Sequence, residues 1–144
     1  NSTAIDRMLN RESGLQGLSG LSNDMRTLEQ AAAQGHERAR LAIDIFCFRL
    51  AKYIGAMMVS LNRLDGLVFT GGIGENSALV RAQTLSHLCL LGFELDEDAN
   101  REHGQTRNGC ISAVGTRPVW VIPTNEELLI ARDTLSLIRH ATSI

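Results

Sequence analysis

Aromatic side chains are scarce in this 144-residue chain, at 4% of the total, so there are few platforms on which the bases of a single strand could stack. An excess of basic charge is missing too: 14 Lys and Arg stand against 16 Asp and Glu, a formal net charge of −2. That balance gives no electrostatic case for gripping nucleic acid or an anionic membrane surface. Cysteine is limited to Cys47, Cys89 and Cys110, far apart and without a C-x-x-C pair, and His36, His87, His103 and His140 do not cluster with them. A disulfide framework or zinc site is therefore disfavoured, and reduced thiols in a cytoplasmic setting are expected. No apolar run approaches the roughly 18–20 residues of a membrane-spanning helix. Residues 1–6 carry neither a basic region nor an apolar signal core, and an initiator Met is absent, as in a processed or truncated product. What is present is ordinary: 44% hydrophobic and 21% charged residues, enough for one soluble domain with a core.

Local patterns divide the chain. Residues 5–9 form a short amphipathic stretch, and residues 13–20, rich in Gly and Ser, predict a loop whose leucines lie against an apolar surface. Ser22 is a candidate N-cap for a helix running to about Gln34. From about His36 to Asn62 the spacing of Ile43, Phe46, Leu50, Tyr53 or Ile54, Met57, Leu61 and Leu64 predicts one long helix. Gly55 inside it implies a close packing contact, and Met57-Met58 reads as core filler. Residues 67–70 predict a buried strand, broken by Gly71-Gly72-Ile73-Gly74. Asn76 is expected to cap a helix carrying Leu79, Val80, Leu85 and Leu88. Residues 93–96, 110–113 and 119–122 read as short strands, and 96–109 as a polar surface loop that could include a turn of helix. Thr124 and Glu127 have capping-box spacing for a last helix to about Arg139, with Leu128, Ile130 or Ala131, Leu135 and Ile138 on its apolar face. Two or three strands need further sheet partners or a helical cover to be stable alone, and packing of the last helix on a domain outside the chain is one expectation.

Chemistry concentrates in three places. In Val68-Phe69-Thr70-Gly71-Gly72-Ile73-Gly74-Glu75-Asn76-Ser77 a strand ends, glycines turn the chain and a helix begins. Glycine lets backbone approach a ligand closely, and first-turn amides suit phosphate or the edges of a nucleotide. Ligands of open α/β sheets collect at such strand ends. The same glycines also fit a simple tight connection. The run is not a P-loop, since no Gly-Lys-Ser/Thr follows, and the G-x-G-x-x-G dinucleotide spacing fails at Ser77. In Ser22-Asn23-Asp24-Met25-Arg26, spacing alone favours a first-turn acid and a surface Arg. The functional alternative has Asp24 accepting from a hydroxyl or amino group and Arg26 presenting its guanidinium to base or phosphates. In Pro123-Thr124-Asn125-Glu126-Glu127, a helix cap is the plainer reading, and a carboxylate holding Mg²⁺ the functional one.

Together and in this order, these segments resemble the acetate kinases. The match includes Ser13-Gly14-Leu15, Gly17-Leu18-Ser19-Gly20, Ser22 to Arg26, Ala51-Lys52-Tyr53-Ile54-Gly55-Ala56, Val68 to Ser77, Gly115-Thr116-Arg117-Pro118 and Val121 to Leu128. It spans nearly the whole chain, with 96–109 the weakest stretch, and Gln16 stands where an aliphatic residue is more usual. The resemblance implies an α/β fold in which two ribonuclease H-like halves, as in sugar kinases, Hsp70 ATPase domains and actin, close on ATP. It implies that residues 1–144 are the C-terminal, nucleotide-binding portion, with a long central helix and with 124–144 packing on an N-terminal half. Asp24, Met25 and Arg26 would line the adenosine site. Gly72, Ile73, Gly74, Glu75 and Asn76 would form the loop around ATP or ADP, and Glu126 would serve Mg²⁺.

The family transfers the γ-phosphoryl group of ATP to acetate, and acts as a homodimer. Propionate and butyrate kinases look alike in this region, so another short-chain carboxylate is an open alternative. The family's metal-binding Asn, substrate-binding Arg, catalytic Asp, a His and a phosphate-binding Gly-rich loop have no counterpart in this chain. No catalytic residue is therefore expected here, and the chain alone is expected to be nearly inactive and to bind nucleotide weakly. Rival readings are a non-catalytic ATP-binding module of the same fold and a dinucleotide-binding oxidoreductase domain.

Overall fold

Small side chains decide how the long helix packs. The computed structural model describes residues 1–141, apart from the side chains of Glu126, His140 and Ala141. Helix α4 spans Glu37–Met57, capped by His36, whose Nδ1 accepts from the Ala39 amide at 3.1 Å. Its buried residues are Ala39, Ala42, Ile43, Cys47 and Ala51, three or four apart along one face. Alanine at these positions lets two helices approach closely: α2, Gly14–Ser19, and α3, Met25–Ala33, both pack on α4. Of the expected stripe Ile43 is fully buried, and the other large residues sit at the margins or outside. Phe46, Leu50, Ile54 and Leu64 are partly buried, while Tyr53, Met57 and Leu61 are 58%, 61% and 53% exposed. The helical period holds and the first part of the expected face packs inward, but the centre of the buried face is shifted towards Ala39, Ala42, Cys47 and Ala51, because bulk marks hydrophobicity whereas a close helix crossing selects small residues. Gly55 makes no close contact, since a Cβ there would meet nothing within 4 Å.

Two apolar clusters share α4. One joins Met25, Leu28, Ala39, Ala42, Ile43, Cys47 and Val80; the other joins Ala51, Phe69, Leu85, Leu88, Phe93, Ile111, Val119 and Val121. Burial in the first pushes the Cys47 thiol up to about 11. The second surrounds strands β1, Leu67–Phe69, and β2, Val119–Val121, which pair in parallel with Phe69 opposite Val121. A parallel pair requires a crossover. It is made by α5, Gly71–Asn76; α6, Ala78–Ser86; and α7, Glu97–Arg101.

Several expectations shift by a turn or a strand. Residues 13–20 contain a helix, α2, instead of a loop, and Leu15 packs on the first cluster. Residues 93–96 and 110–113 do not form regular strands. They meet through single antiparallel bridges, Leu95 with Ser112 and Cys110 with Trp120. Beside the second bridge the backbones lie close: the Val121 amide donates to the Gly109 carbonyl at 2.7 Å, and a Cβ on Gly109 would stand 2.5 Å from the Val121 carbonyl oxygen. β1 is not fully buried, with Val68 47% exposed.

Helix α1, Ser2–Asn10, buries none of its residues. Helix α8, Glu126–Ala141, leaves Leu128, Leu129, Ile130, Leu135 and Leu137 exposed. Among the described residues no helix is long and apolar enough to cross a membrane.

Candidate nucleotide site

The glycine segment is a single helical turn, not an open loop. Thr70 is extended, and Gly71 then adopts φ +72°, a conformation that a side chain would strain. Helix α5 closes on itself. The Gly71 amide donates to Glu75 Oε1 at 2.8 Å, and Asn76 Nδ2 donates to the Gly72 carbonyl at 2.8 Å. One of the first-turn amides expected to await a phosphate is thus already engaged by the turn's own carboxylate. Asn76 does not cap the next helix. Ser77 does, its Oγ accepting from the Val80 amide at 3.0 Å. Above Gly71 and Gly72 a Cβ would meet nothing within 4 Å, whereas one on Gly74 would stand 3.4 Å from the Phe69 carbonyl carbon. Gly72 therefore faces open space, and Gly74 serves packing.

The facing wall is the start of α3. Ser22 Oγ accepts from the Asp24 amide at 3.0 Å, and Asp24 itself is the N-cap, its Oδ1 accepting from the Thr27 amide at 3.1 Å. The expected cap at Ser22 thus moves two residues on. Arg26 Nη2 donates to Asp24 Oδ2 at 3.1 Å. That guanidinium, then the Thr27 amide, holds the Asp24 carboxyl below its ordinary value, and Asp24 raises Arg26 in return. The Arg26 side chain is 85% exposed, so the pair is free to reorganise around a ligand at little cost. Ser77 Oγ donates to Glu29 Oε1, tying α6 to α3.

Between these walls lies a pocket of about 490 Å³, lined by Asp24, Met25, Arg26, Glu29, Gly72, Ile73, Asn76 and Ser77. Six of the residues nominated from the sequence meet here: Asp24, Met25, Arg26, Gly72, Ile73 and Asn76. Gly74 and Glu75 do not line it. Glu75 turns instead to Thr124, accepting from its amide at 2.8 Å and its hydroxyl at 2.7 Å. These donors, Thr124 first and then Gly71, hold the Glu75 carboxyl below its ordinary value. Thr124 consequently forms no capping box with Glu127. Asn125 Oδ1 accepts from the Leu128 amide at 3.0 Å in its place. The side chain of Glu126, the nominated metal ligand, lies outside the described residues. Among the described residues no group of three or more His, Cys, Asp and Glu could hold a metal.

Arg81 lies outside the three motif segments yet holds the site together. It is fully buried, and its Nη1 donates to the carbonyls of Gly74 at 2.8 Å and Glu75 at 2.9 Å. Its Nε reaches Asn100 Oδ1 at 2.7 Å and its Nη2 the Asn100 carbonyl at 2.8 Å. Arg81 thus fixes the end of α5 to α7. The signal was present: Arg81, Leu85 and Leu88 share one helical face, so a charge stands where an apolar residue is expected.

A pocket of this size, with an apolar floor at Met25 and Ile73, an acceptor at Asp24, donors at Arg26 and Asn76 and no Cβ above Gly72, suits a nucleoside carrying phosphates. A second hollow of about 460 Å³, lined by Asp44, Ile45, Cys47, Phe48, Gln83, Ser86 and His87, contains none of the nominated residues.

Comparison with known proteins agrees with the motif-level resemblance. The acetokinase family profile matches residues 1–132. The acetate kinase of Dichelobacter nodosus is 58% identical over 137 residues, covering 95% of this chain and 35% of the relative. That of Ectopseudomonas mendocina is 62% identical over 134 residues, covering 93% and 34%. The solved acetate kinase of Porphyromonas gingivalis superposes with a TM-score of 0.83 at 36% identity, over 96% of this chain and 35% of that one. A propionate kinase from Francisella tularensis gives 0.81 at 46% identity, over 91% and 33%. The chain spans about a third of the length of these relatives. Its α/β fold is the one these kinases contain, and the chain belongs to the acetokinase family.

Proposed function

We propose that residues 1–144 are the C-terminal, nucleotide-binding portion of an ATP-dependent carboxylate kinase, with acetate the first-choice acceptor. One observation carries the reading: Asp24, Met25 and Arg26, far in sequence from Gly72, Ile73 and Asn76, line one pocket with them. In it, Met25 and Ile73 flank the adenosine, Asp24 accepts from a hydroxyl or amino group, and Arg26 leaves its pairing with Asp24 to cover the base or phosphates. Gly72 lets the backbone approach the ligand. ATP, when bound, supplies the phosphoryl group that passes to the carboxylate. Glu126, at the start of α8, is the proposed contact to Mg²⁺ or its water shell.

Phosphoryl transfer is mostly positioning and charge neutralisation in a closed cleft. One wall of a cleft performs it poorly, so the chain alone binds nucleotide weakly and turns over little. The second wall is an N-terminal half, against which α8 presents Leu128, Leu135 and their neighbours. The complete enzyme is a cytoplasmic homodimer, and propionate or butyrate is the alternative acceptor.

The test replaces the matching third of the Ectopseudomonas mendocina enzyme with this chain and assays acetyl phosphate formation from ATP and acetate. The expected result is turnover, with Gly72→Val raising the KM for ATP by about tenfold or more by filling the pocket. Nucleotide binding without any turnover in that hybrid would favour a non-catalytic ATP-binding module.

A further inference from the structure

One oxygen joins the glycine turn to the entrance of α8. Glu75 Oε1 accepts from the Gly71 amide at 2.8 Å, the Thr124 amide at 2.8 Å and the Thr124 hydroxyl at 2.7 Å. Two of these three donors belong to a segment 49 residues away, so capping its own turn is the smaller part of what this carboxylate does. The sheet explains why the partners are in reach. β1 and β2 run parallel, and the Ile122 amide donates to the Phe69 carbonyl at 2.9 Å. Both chains therefore leave the sheet side by side, then diverge into α5 and α8. Glu75 spans the gap that opens. An ionised acceptor receiving amide and hydroxyl donors forms hydrogen bonds about twice as strong as neutral ones.

We infer that Glu75 is a positioning residue of the nucleotide site: it does not line the pocket, and it fixes the glycine turn against the strand exit that leads to α8. The inference rests on the nucleotide reading above. The turn has other holds, since Arg81 binds the Gly74 and Glu75 carbonyls and Asn76 closes on the Gly72 carbonyl. Removing the carboxylate therefore frees the Gly71 amide and Thr124 without unmaking α5.

The test uses the 144-residue protein and the variants Glu75→Ala, Glu75→Gln and Thr124→Val. Amide exchange at Thr124 is read by NMR, and ADP affinity by calorimetry well below the melting temperature of each variant. Glu75→Ala is expected to speed exchange at Thr124 and to weaken ADP binding by about tenfold. Glu75→Gln keeps a carbonyl acceptor and should restore most of both. Thr124→Val should weaken binding less, and add nothing to Glu75→Ala. Unchanged exchange at Thr124 in Glu75→Ala overturns the tie itself. Faster exchange with ADP affinity within about twofold of the parent reduces Glu75 to a structural tie and overturns the positioning role. Faster exchange at Thr124 in Glu75→Ala, with a parent that binds no ADP saturably, overturns the nucleotide reading and the positioning role with it, a result told apart from the first by the exchange data.

Discussion

Among the described residues the buried Arg81 finds no carboxylate hydrogen-bond partner and is held instead by carbonyl and amide oxygens and by His103 Nδ1 at 3.1 Å. Burial pulls its pKa below the ordinary arginine value, yet guanidinium stays protonated in proteins. Replacing it with Met keeps the bulk but leaves the Gly74 and Glu75 carbonyls and both Asn100 acceptors short of donors. Each buried unsatisfied group costs about 1–3 kcal/mol, so Arg81→Met should destabilise the chain by about 3 kcal/mol or more in urea unfolding. A loss under about 1 kcal/mol would mean that water replaces the guanidinium.

Acid stability follows from a different set of side chains. Asp24, Glu75 and Asp96 all have folded pKa values below their ordinary ones, Asp96 chiefly through the Ala99 amide and then Arg107. A depressed folded pKa contributes stability that is complete above the unfolded value, about 4, and is lost as pH falls through the folded value. Melting temperature should therefore decline as pH drops below about 4, and Glu75→Gln should decline less steeply. Parallel pH curves for the two proteins would contradict the hydrogen bonds assigned to Glu75.

At the scale of elements, α4 is legible from its helical period and β1 and β2 from their apolar runs, and α8 begins close to where the capping residues place it. What sequence could not show was which hydrogen bonds win. Asp24 takes the cap expected of Ser22, and Asn125 the cap expected of Thr124, because Thr124 is drawn to Glu75. Six of the eight motif residues for the nucleotide line the pocket, whereas Gly74 and Glu75, equally good by motif, are spent on packing and bracing. The buried face of α4 can be tested directly. Ala42→Leu should cost about 1–3 kcal/mol by overpacking the crossing with α3, whereas Met57→Ala, at an exposed site, should change stability by about 0.5 kcal/mol or less. The reverse order would restore the face expected from large residues.

For the whole molecule, the decisive feature is an open site on a chain that spans about a third of its relatives. The described pocket has one wall on α3 and the other on α5, and both α1 and α8 leave apolar faces uncovered. Such an arrangement suits weak, specific binding more than turnover. The most direct measurement is an ADP titration of the isotope-labelled chain followed by amide chemical shifts. Saturable shifts are expected at Met25, Arg26, Gly72 and Ile73, with none at Phe48 or His87 in the second hollow. Shifts confined to that hollow, or no saturable shift at millimolar ADP, would contradict the nucleotide reading.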